Sequence, residues 1–524
     1  MGVSLGQSAS GPGGGGDPGS GPGPIQPTEP TQPTQPTEPT QPTQPTQPTE
    51  PTPDPGLPNS TDTQPALPPD AIQLTATVNN TRIGSVGADF TGFSFEKSEL
   101  VSRIFSSGST QVIAVFKALG QGVMRIGGSA VESIVWDPSA TRGQQTGKIS
   151  SFDVDAFAGF LNQINATKIN WRIIYGIRLR GNTIDLAAQE AVYAASKLGA
   201  GLYAFSLGNE PNYTTFGTYY AGGVYYDNVF RVQWQTLRNA ILQRMPDAKF
   251  VGPDATDGNV TSYTIPFAAD PKTGGDGLES LAQHYYRIND GGRTLDKSTL
   301  INMLLTVPDT SLVSLLSKVK TAAGSRKFRI TETNSVTSGG LDGVSNTYAS
   351  ALWALDHAFT IAKGGASGIH FHGGDAAFYT PFTFQSATFK ATQPIYYGIL
   401  FFAMMGSGDL FDLTFDAGRQ NISAYAIKVG SNFKIMFVNK EVSQGFEVTL
   451  NLATVSGMTA RHLTGSTLTS ANNVQIQGQT YPLGLNVTAN DPYKVGFSPD
   501  ASIPEKGRWK VRVPPLTAVL VEVS

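Results

Sequence analysis

Cysteine is absent from all 524 residues. That excludes disulfides, thiolate metal sites and cysteine nucleophiles, and it leaves the compartment open. Charge is scarce as well. Asp, Glu, Lys and Arg make up 15% of the chain, against ~25% in ordinary globular proteins. The formal net charge is -3 and no dense Lys/Arg cluster occurs. Neither nucleic acid nor an anionic membrane is therefore an expected partner, and a heavily sulfated polymer would also require a basic groove. No apolar run reaches the ~20 residues needed to span a bilayer, so membrane insertion is not expected. Residues 1–20 carry no apolar signal-peptide core. The expectation is an exported protein (periplasmic, surface-tethered or secreted) whose signal peptide is absent from this sequence.

Glycine and proline take the place of charge, with 58 and 34 residues respectively. Gly11 to Pro24 is nearly all Gly, Pro, Ser and Asp, and from Gln26 to Pro53 the chain repeats Gln/Glu-Pro-Thr with period three. Such composition cannot bury a core and favours an extended spacer, so residues 1–68 are expected to be a disordered tether. Order begins near Ala71. Ile72 to Val78 alternates with period two and Asn79-Asn80 supplies a turn, which predicts a β-hairpin over 69–88.

The rhythm then changes to short apolar runs alternating with helical segments. The runs are Phe90–Glu96, Gly122–Gly128, Trp171–Leu179, Leu202–Asn209, Phe250–Asp254, Leu281–Tyr286, Phe328–Thr333 and Gly368–His372. Between them, Leu312, Leu315, Leu316 and Val319 show the spacing of a half-buried helix. Tyr263–Ala268 is the weakest of the helical connections. Eight strand–helix units over 89–406 imply a closed parallel (β/α)8 TIM barrel, an α/β fold. An open doubly wound sheet would carry a glycine-rich phosphate loop after its first strand, and none is there. Residues 407–524 read as strands only, including Ile422–Val429, Phe433–Val438, Phe446–Leu452, Tyr481–Val487, Trp509–Val513 and Thr517–Val523. These predict an all-β sandwich domain that the N-terminal hairpin completes.

In such barrels the active site lies at the C-terminal ends of the strands. Two glutamates stand there. Glu210 ends the fourth strand in Leu207-Gly208-Asn209-Glu210-Pro211, and Glu332 ends the seventh in Ile330-Thr331-Glu332-Thr333-Asn334. Strands four and seven oppose each other across an eight-stranded barrel, so both carboxylates reach one cavity. Paired carboxylates are the equipment for glycosidic bond cleavage. Glu210 has few charged neighbours in sequence, which suits an acid/base that must hold its proton. Glu332 has Arg329, Thr331, Thr333 and Asn334 nearby, which suits an ionised nucleophile. His370 and His372 share one side of the eighth strand; without a third ligand, substrate contact or core packing is the expectation rather than a metal site. His357 reads as a buried helix residue. No cofactor is called for.

Five stretches in order resemble glycoside hydrolase family 79, the β-glucuronidase and heparanase family of clan A. They are Gly92-Phe93-Ser94-Phe95-Glu96, Met124-Arg125-Ile126-Gly127-Gly128-Ser129, Leu207-Gly208-Asn209-Glu210-Pro211-Asn212, His284-Tyr285-Tyr286 and Thr331-Glu332-Thr333-Asn334-Ser335. The resemblance implies a retaining double displacement at a β-D-glucuronide, with Glu210 as acid/base and Glu332 as nucleophile. It implies that Asn209 holds the sugar 2-hydroxyl, that Tyr285 orients Glu332, and that Glu96 and Ser129 bind the far end of the sugar. The glucuronate carboxylate would meet the backbone N–H groups of Gly339 and Gly340 and the hydroxyl of Tyr379, preferred over Tyr396. Heparanase has a tyrosine just before its glycines, where this chain has Thr337 and Ser338. The expectation is an exo-acting, monomeric β-glucuronidase acting on a glucuronic-acid-containing glycan or glucuronide. The alternatives are an endo-acting heparanase-like enzyme, a clan A hydrolase of neutral sugars, or a tethered carbohydrate-binding protein.

Overall fold

The computed structural model describes residues 64–181, 184–212, 229–273, 275, 277–452, 457–480, 500–501, 504–505 and 508–523. The expected tether up to residue 63 and the expected strand Tyr481–Val487 lie outside the described residues.

The chain forms a closed parallel barrel of eight strands, a TIM barrel, beside a separate, mainly antiparallel sheet. After an N-terminal strand β1 (Ile72–Val86), the barrel strands are β2 (Thr91–Glu96), β3 (Gly122–Gly127), β4 (Trp171–Ile177), β5 (Leu202–Leu207), β6 (Phe250–Ala255), β7 (Leu278–Ile288), β8 (Phe328–Val336) and β9 (Ile369–Gly373). They pair in sequence order, and β9 closes on β2. Strands buried on both faces read as continuous apolar runs, which is why these segments stand out in the sequence. The connections are mostly amphipathic helices. The helix α1 (Thr310–Ala323) buries Leu312, Leu315, Leu316 and Val319 and is capped by the side chain of Asp309, which accepts from Leu312 N. The connection from β6 to β7 is a π-helical turn, Val260–Thr264, running into a five-residue helix, Ile265–Ala269. Its weak helical pattern in the sequence matches that short, irregular build.

Among the described residues the second sheet has eleven strands and includes β10 (Gly408–Phe415), β11 (Ile422–Val429), β12 (Asn432–Asn439), β13 (Phe446–Asn451), β14 (Met458–Thr464), β15 (Arg508–Val513) and β16 (Thr517–Val523). Residues from β1 and β11 to β16 enclose a core around Phe437, Phe446, Val448, Val511 and Val521. The opposite face, with Leu410, Ile427, Met436 and Leu463, joins the core of the barrel. Helix α2 (Tyr348–Lys363) makes that junction. Tyr348 donates to the carbonyls of Leu463 and Leu516, both at 2.9 Å, and Asp356 pairs with Lys440 at 2.6 Å.

The expected hairpin over 69–88 is not formed. Ile72–Val86 is a single strand, parallel to β13 along its first half and antiparallel to β10 along its second. Asn79-Asn80 falls where the pairing with β10 shifts register, between Val78 and Arg82. A bulge absorbs the two asparagines without reversing the chain.

Candidate active site

At the C-terminal mouth of the barrel is a cavity of about 340 Å³, lined among others by Glu96, Ser129, Glu210, Tyr285, Glu332, Gly339, His372 and Tyr379. That volume falls within the ~300–1,000 Å³ range of small-ligand sites. Its floor is a ring of buried charge centred on Arg125, whose side chain is fully enclosed. One guanidinium nitrogen donates to Glu332 Oε2 at 2.9 Å and to Ser94 Oγ at 3.1 Å. The other donates to Asn209 Oδ1 at 2.7 Å and lies 3.4 Å from Asp254 Oδ2. Strands β2, β3, β5, β6 and β8 are thus tied together directly below the mouth.

Glu332 also accepts from Tyr286, hydroxyl to Oε1, at 2.9 Å. Burial alone would raise its pKa. The positive charges of His372, His284 and Arg125 and the Tyr286 hydrogen bond outweigh burial and hold it down to about 2. That balance favours the ionised carboxylate.

Glu210 follows β5 with a left-handed φ of 42°, and its N–H donates to the carbonyl of Asp254 at 3.0 Å. Gly208, two residues earlier, also has positive φ and sits against Leu179 and Glu132. This tight strand exit aims the carboxyl across the cavity. Burial raises the Glu210 pKa first, the His284 hydrogen bond opposes it, the Glu332 charge raises it again, and the balance is upward. In space, then, Glu210 is ringed by charge, unlike its sequence neighbourhood. His284 Nδ1 lies 2.9 Å from Glu210 Oε1.

Glu96 ends β2 and accepts from the Ala130 N–H at 2.7 Å. Gly128 makes this contact possible. Its φ is +67°, and a side-chain carbon there would come within 2.3 Å of the Glu96 carboxylate. His372 lies between Glu96 and Glu332, with Nε2 3.4 Å from Glu96 and Nδ1 3.0 Å from Ser94 Oγ and 3.8 Å from Glu332 Oε2. Burial opposes its protonation, but the charges of Glu332 and Glu96 raise its pKa overall.

Gly339 and Tyr379 line the cavity, and the Gly339 N–H is directed at the Tyr379 hydroxyl. The expected partnership of Gly340 is corrected, because its N–H donates to the Thr337 carbonyl at 3.2 Å within the turn. Gly340 is a shape requirement: a side-chain carbon would meet Ser345 Oγ and the Tyr379 backbone nitrogen at 2.9 Å. Tyr285 is corrected too. It borders the cavity, but its hydroxyl donates to Asp309 at 2.7 Å. Successive side chains of a strand point to opposite faces, so His284 and Tyr286 share the inward face and Tyr285 turns toward the helix layer. Tyr396 donates to the Val115 carbonyl in the core, away from the mouth. His370 accepts from Arg329 below the site, and His357 is buried against Thr333.

Sequence reasoning gave no role to Arg125, Asp254, His284 or Tyr286. The available signal was a lone Arg inside the apolar run Gly122–Gly127 and a lone Asp at the end of Phe250–Ala255, each a charge that burial must pair. Oxygens of Glu210 and Glu332 and a nitrogen of His284 all lie within 4.8 Å of one another. With Arg125 2.9 Å from Glu332, a cation placed there would meet like charge, whereas proton transfer and nucleophilic attack both fit the spacing.

No family model matches the chain. A β-glucuronidase of Aspergillus niger is 25% identical over 319 residues, covering 55% of this chain and 58% of that protein. A β-glucuronidase of Neurospora crassa is 27% identical over 311 residues, covering 52% and 54%. The chain spans about half the length of the curated relatives it matches. Among solved structures, a 4-O-α-L-rhamnosyl-β-D-glucuronidase from Fusarium oxysporum aligns with a TM-score of 0.64 at 17% identity, covering 86% of this chain and 99% of that one. A family 51 α-L-arabinofuranosidase from Bifidobacterium longum aligns with a TM-score of 0.63 at 14% identity over 86% and 99%. At such identities the likeness establishes a shared barrel-and-sheet fold.

Proposed function

We propose that this chain is a retaining, exo-acting β-D-glucuronidase of the family 79 type. One observation carries the reaction class. One carboxylate oxygen of Glu210 and one of Glu332 lie within 4.8 Å of each other, and their surroundings push one pKa up and the other down. Retaining enzymes place the two carboxyls ~5–5.5 Å apart, while inverting enzymes leave ~6.5–9.5 Å for a water. In the first step a Glu332 oxygen bonds to the anomeric carbon, the glycosidic C–O bond breaks, and the proton of Glu210 passes to the departing oxygen. Water then attacks the same carbon, the ester bond to Glu332 breaks, and Glu210 takes the proton from water. Asn209, fixed by Arg125, presents its amide to the sugar 2-hydroxyl.

Choice of sugar falls to the opposite wall. Glu96, Ser129 and His372 face the far hydroxyls, and the Tyr379 hydroxyl, beside Gly339, offers a donor to a carboxylate. The two relatives named β-glucuronidase support this reading. One observation favours a second reading, a neutral pentose or hexose. The described residues lining the cavity include five carboxylates, Glu96, Glu210, Asp257, Asp290 and Glu332, and no Lys or Arg. That lining also disfavours an endo-acting enzyme on a sulfated chain.

A panel of 4-nitrophenyl glycosides tests the proposal. Release from the β-D-glucuronide alone is the expected result. Release from the β-glucoside, β-xyloside or α-L-arabinofuranoside instead overturns the carboxylate assignment, and an inert protein that still binds glycan makes the tethered binder the better account.

A further inference from the structure

Behind the acid/base, the structure holds a buried carboxylate that does not line the cavity. Asp254 ends β6, is fully enclosed, and has a left-handed φ of 56°. Ser206 and Thr331 donate to its two oxygens. Arg125 lies 3.4 Å away, and His284 Nε2 lies 3.3 Å from Oδ1. The other ring nitrogen of that histidine is the one that meets Glu210 at 2.9 Å. Glu210, His284 and Asp254 therefore form a line from the cavity into the protein.

We propose that Asp254 is a positioning residue for the reaction proposed above: it fixes a proton on His284 Nε2 and so leaves Nδ1 to share one transferable proton with Glu210. The argument is geometric. An ionised carboxylate only accepts, and Asp254 Oδ1 at 3.3 Å is the acceptor toward which Nε2, which makes no hydrogen bond to any other described residue, can turn a hydrogen. The tautomer of a histidine is set by the partner of its other nitrogen. With Nε2–H fixed, Nδ1 either accepts from the protonated Glu210 or donates to its anion. The pair holds a single mobile proton in both cases. Glycosidic cleavage passes that proton to the leaving oxygen, and the attacking water returns it. The other charges facing His284 are Glu332 at 4.0 Å, with Arg125 and Asp257 further off. Burial would strip the ring of its second proton, but Glu332 first, then Asp254 and Glu210, raise its pKa to about 9.

The test uses Asp254→Asn and two glucuronides that differ in their need for a proton. kcat/KM reports the first chemical step. For a methyl or disaccharide glucuronide it should fall by about 10–100-fold, the scale of general acid catalysis. For the 2,4-dinitrophenyl glucuronide, whose leaving group needs no proton, it should fall by less than about 3-fold. The alkaline limb of the pH profile for the poor leaving group should move to lower pH. Equal losses on both substrates, or an unmoved limb, overturn the proposal.

Should Asp254→Asn fail to fold, the intact wild type gives the answer. The chain has five histidines, so ¹⁵N-histidine spectra can be assigned by comparison with His284→Gln. Nε2 of His284 should stay protonated across about pH 6 to 10 while Nδ1 gives up its proton as pH rises through about 9; an Nδ1–H tautomer with bare Nε2 overturns the proposal. A wild type inactive on every glycoside of the panel refutes the proposed function. An active wild type with the wrong tautomer refutes this inference alone.

Discussion

Tyr286 holds the carboxylate of Glu332, hydroxyl to Oε1 at 2.9 Å, while its neighbour Tyr285 is engaged with Asp309. Hydrogen bonds to charged groups contribute about 1.5–3 kcal/mol. Tyr286→Phe should therefore lower kcat by roughly 10–100-fold with little change in Tm. Tyr285→Phe should leave kcat within about 3-fold and reduce Tm, since it strips a donor from the residue that caps Thr310–Ala323. Paired kinetics and calorimetry on the two variants check the assignment, and reversed effects would return the role to Tyr285.

Retention has its own signature. Glu210→Ala should lose at least about 10³-fold in kcat/KM on poor leaving groups and far less on 2,4-dinitrophenyl glucuronide. Added azide should accelerate turnover and yield a glycosyl azide of unchanged anomeric configuration. NMR of the product decides, and an inverted anomer would contradict the double displacement.

Stability should be highest in mildly acidic solution. Glu332 has a folded pKa lowered to about 2, so its contribution is complete above the unfolded value near ~4.3 and is lost as pH falls toward 2. His284 has a folded pKa raised to about 9, so its contribution is complete below the unfolded value near ~6.5 and is lost as pH rises through 9. Tm against pH should thus plateau between about 4.5 and 6.5. His284→Gln should flatten the alkaline side and leave the acid side in place. A wild-type Tm that climbs between pH 7 and 9 would contradict the assigned charge on His284.

The junction of barrel and sheet can be tested apart from catalysis. Lys440 is fully buried and pairs with Asp356, which also accepts from Tyr425 at 2.8 Å. Lys440→Met removes the cation and strands a buried carboxylate, at a cost of about 3–5 kcal/mol. Adding Asp356→Leu should recover most of that loss. Urea denaturation of the two variants measures it, and equal stability of single mutant and wild type would show that the pair is solvated.

The sequence by itself determined the barrel, because strands buried on both faces must be written as unbroken apolar runs. It placed Glu96, Glu210 and Glu332 at one mouth, because each stands where such a run stops. Tertiary structure decided what adjacent residues do. In His284-Tyr285-Tyr286 the alternation of the strand, combined with a register shift between β7 and β8 at Ile330/Glu332, selects which tyrosine meets Glu332. The letters are equally compatible with either. Asn79-Asn80 reads as a turn and is absorbed in a strand, because edges far apart in sequence are there to pair with it. Arg125, Asp254 and His284 come from three separate runs, and each alone is only a charge in an apolar stretch. Burial makes such charges costly unless they meet, and only the closed barrel brings them within 4 Å of their partners.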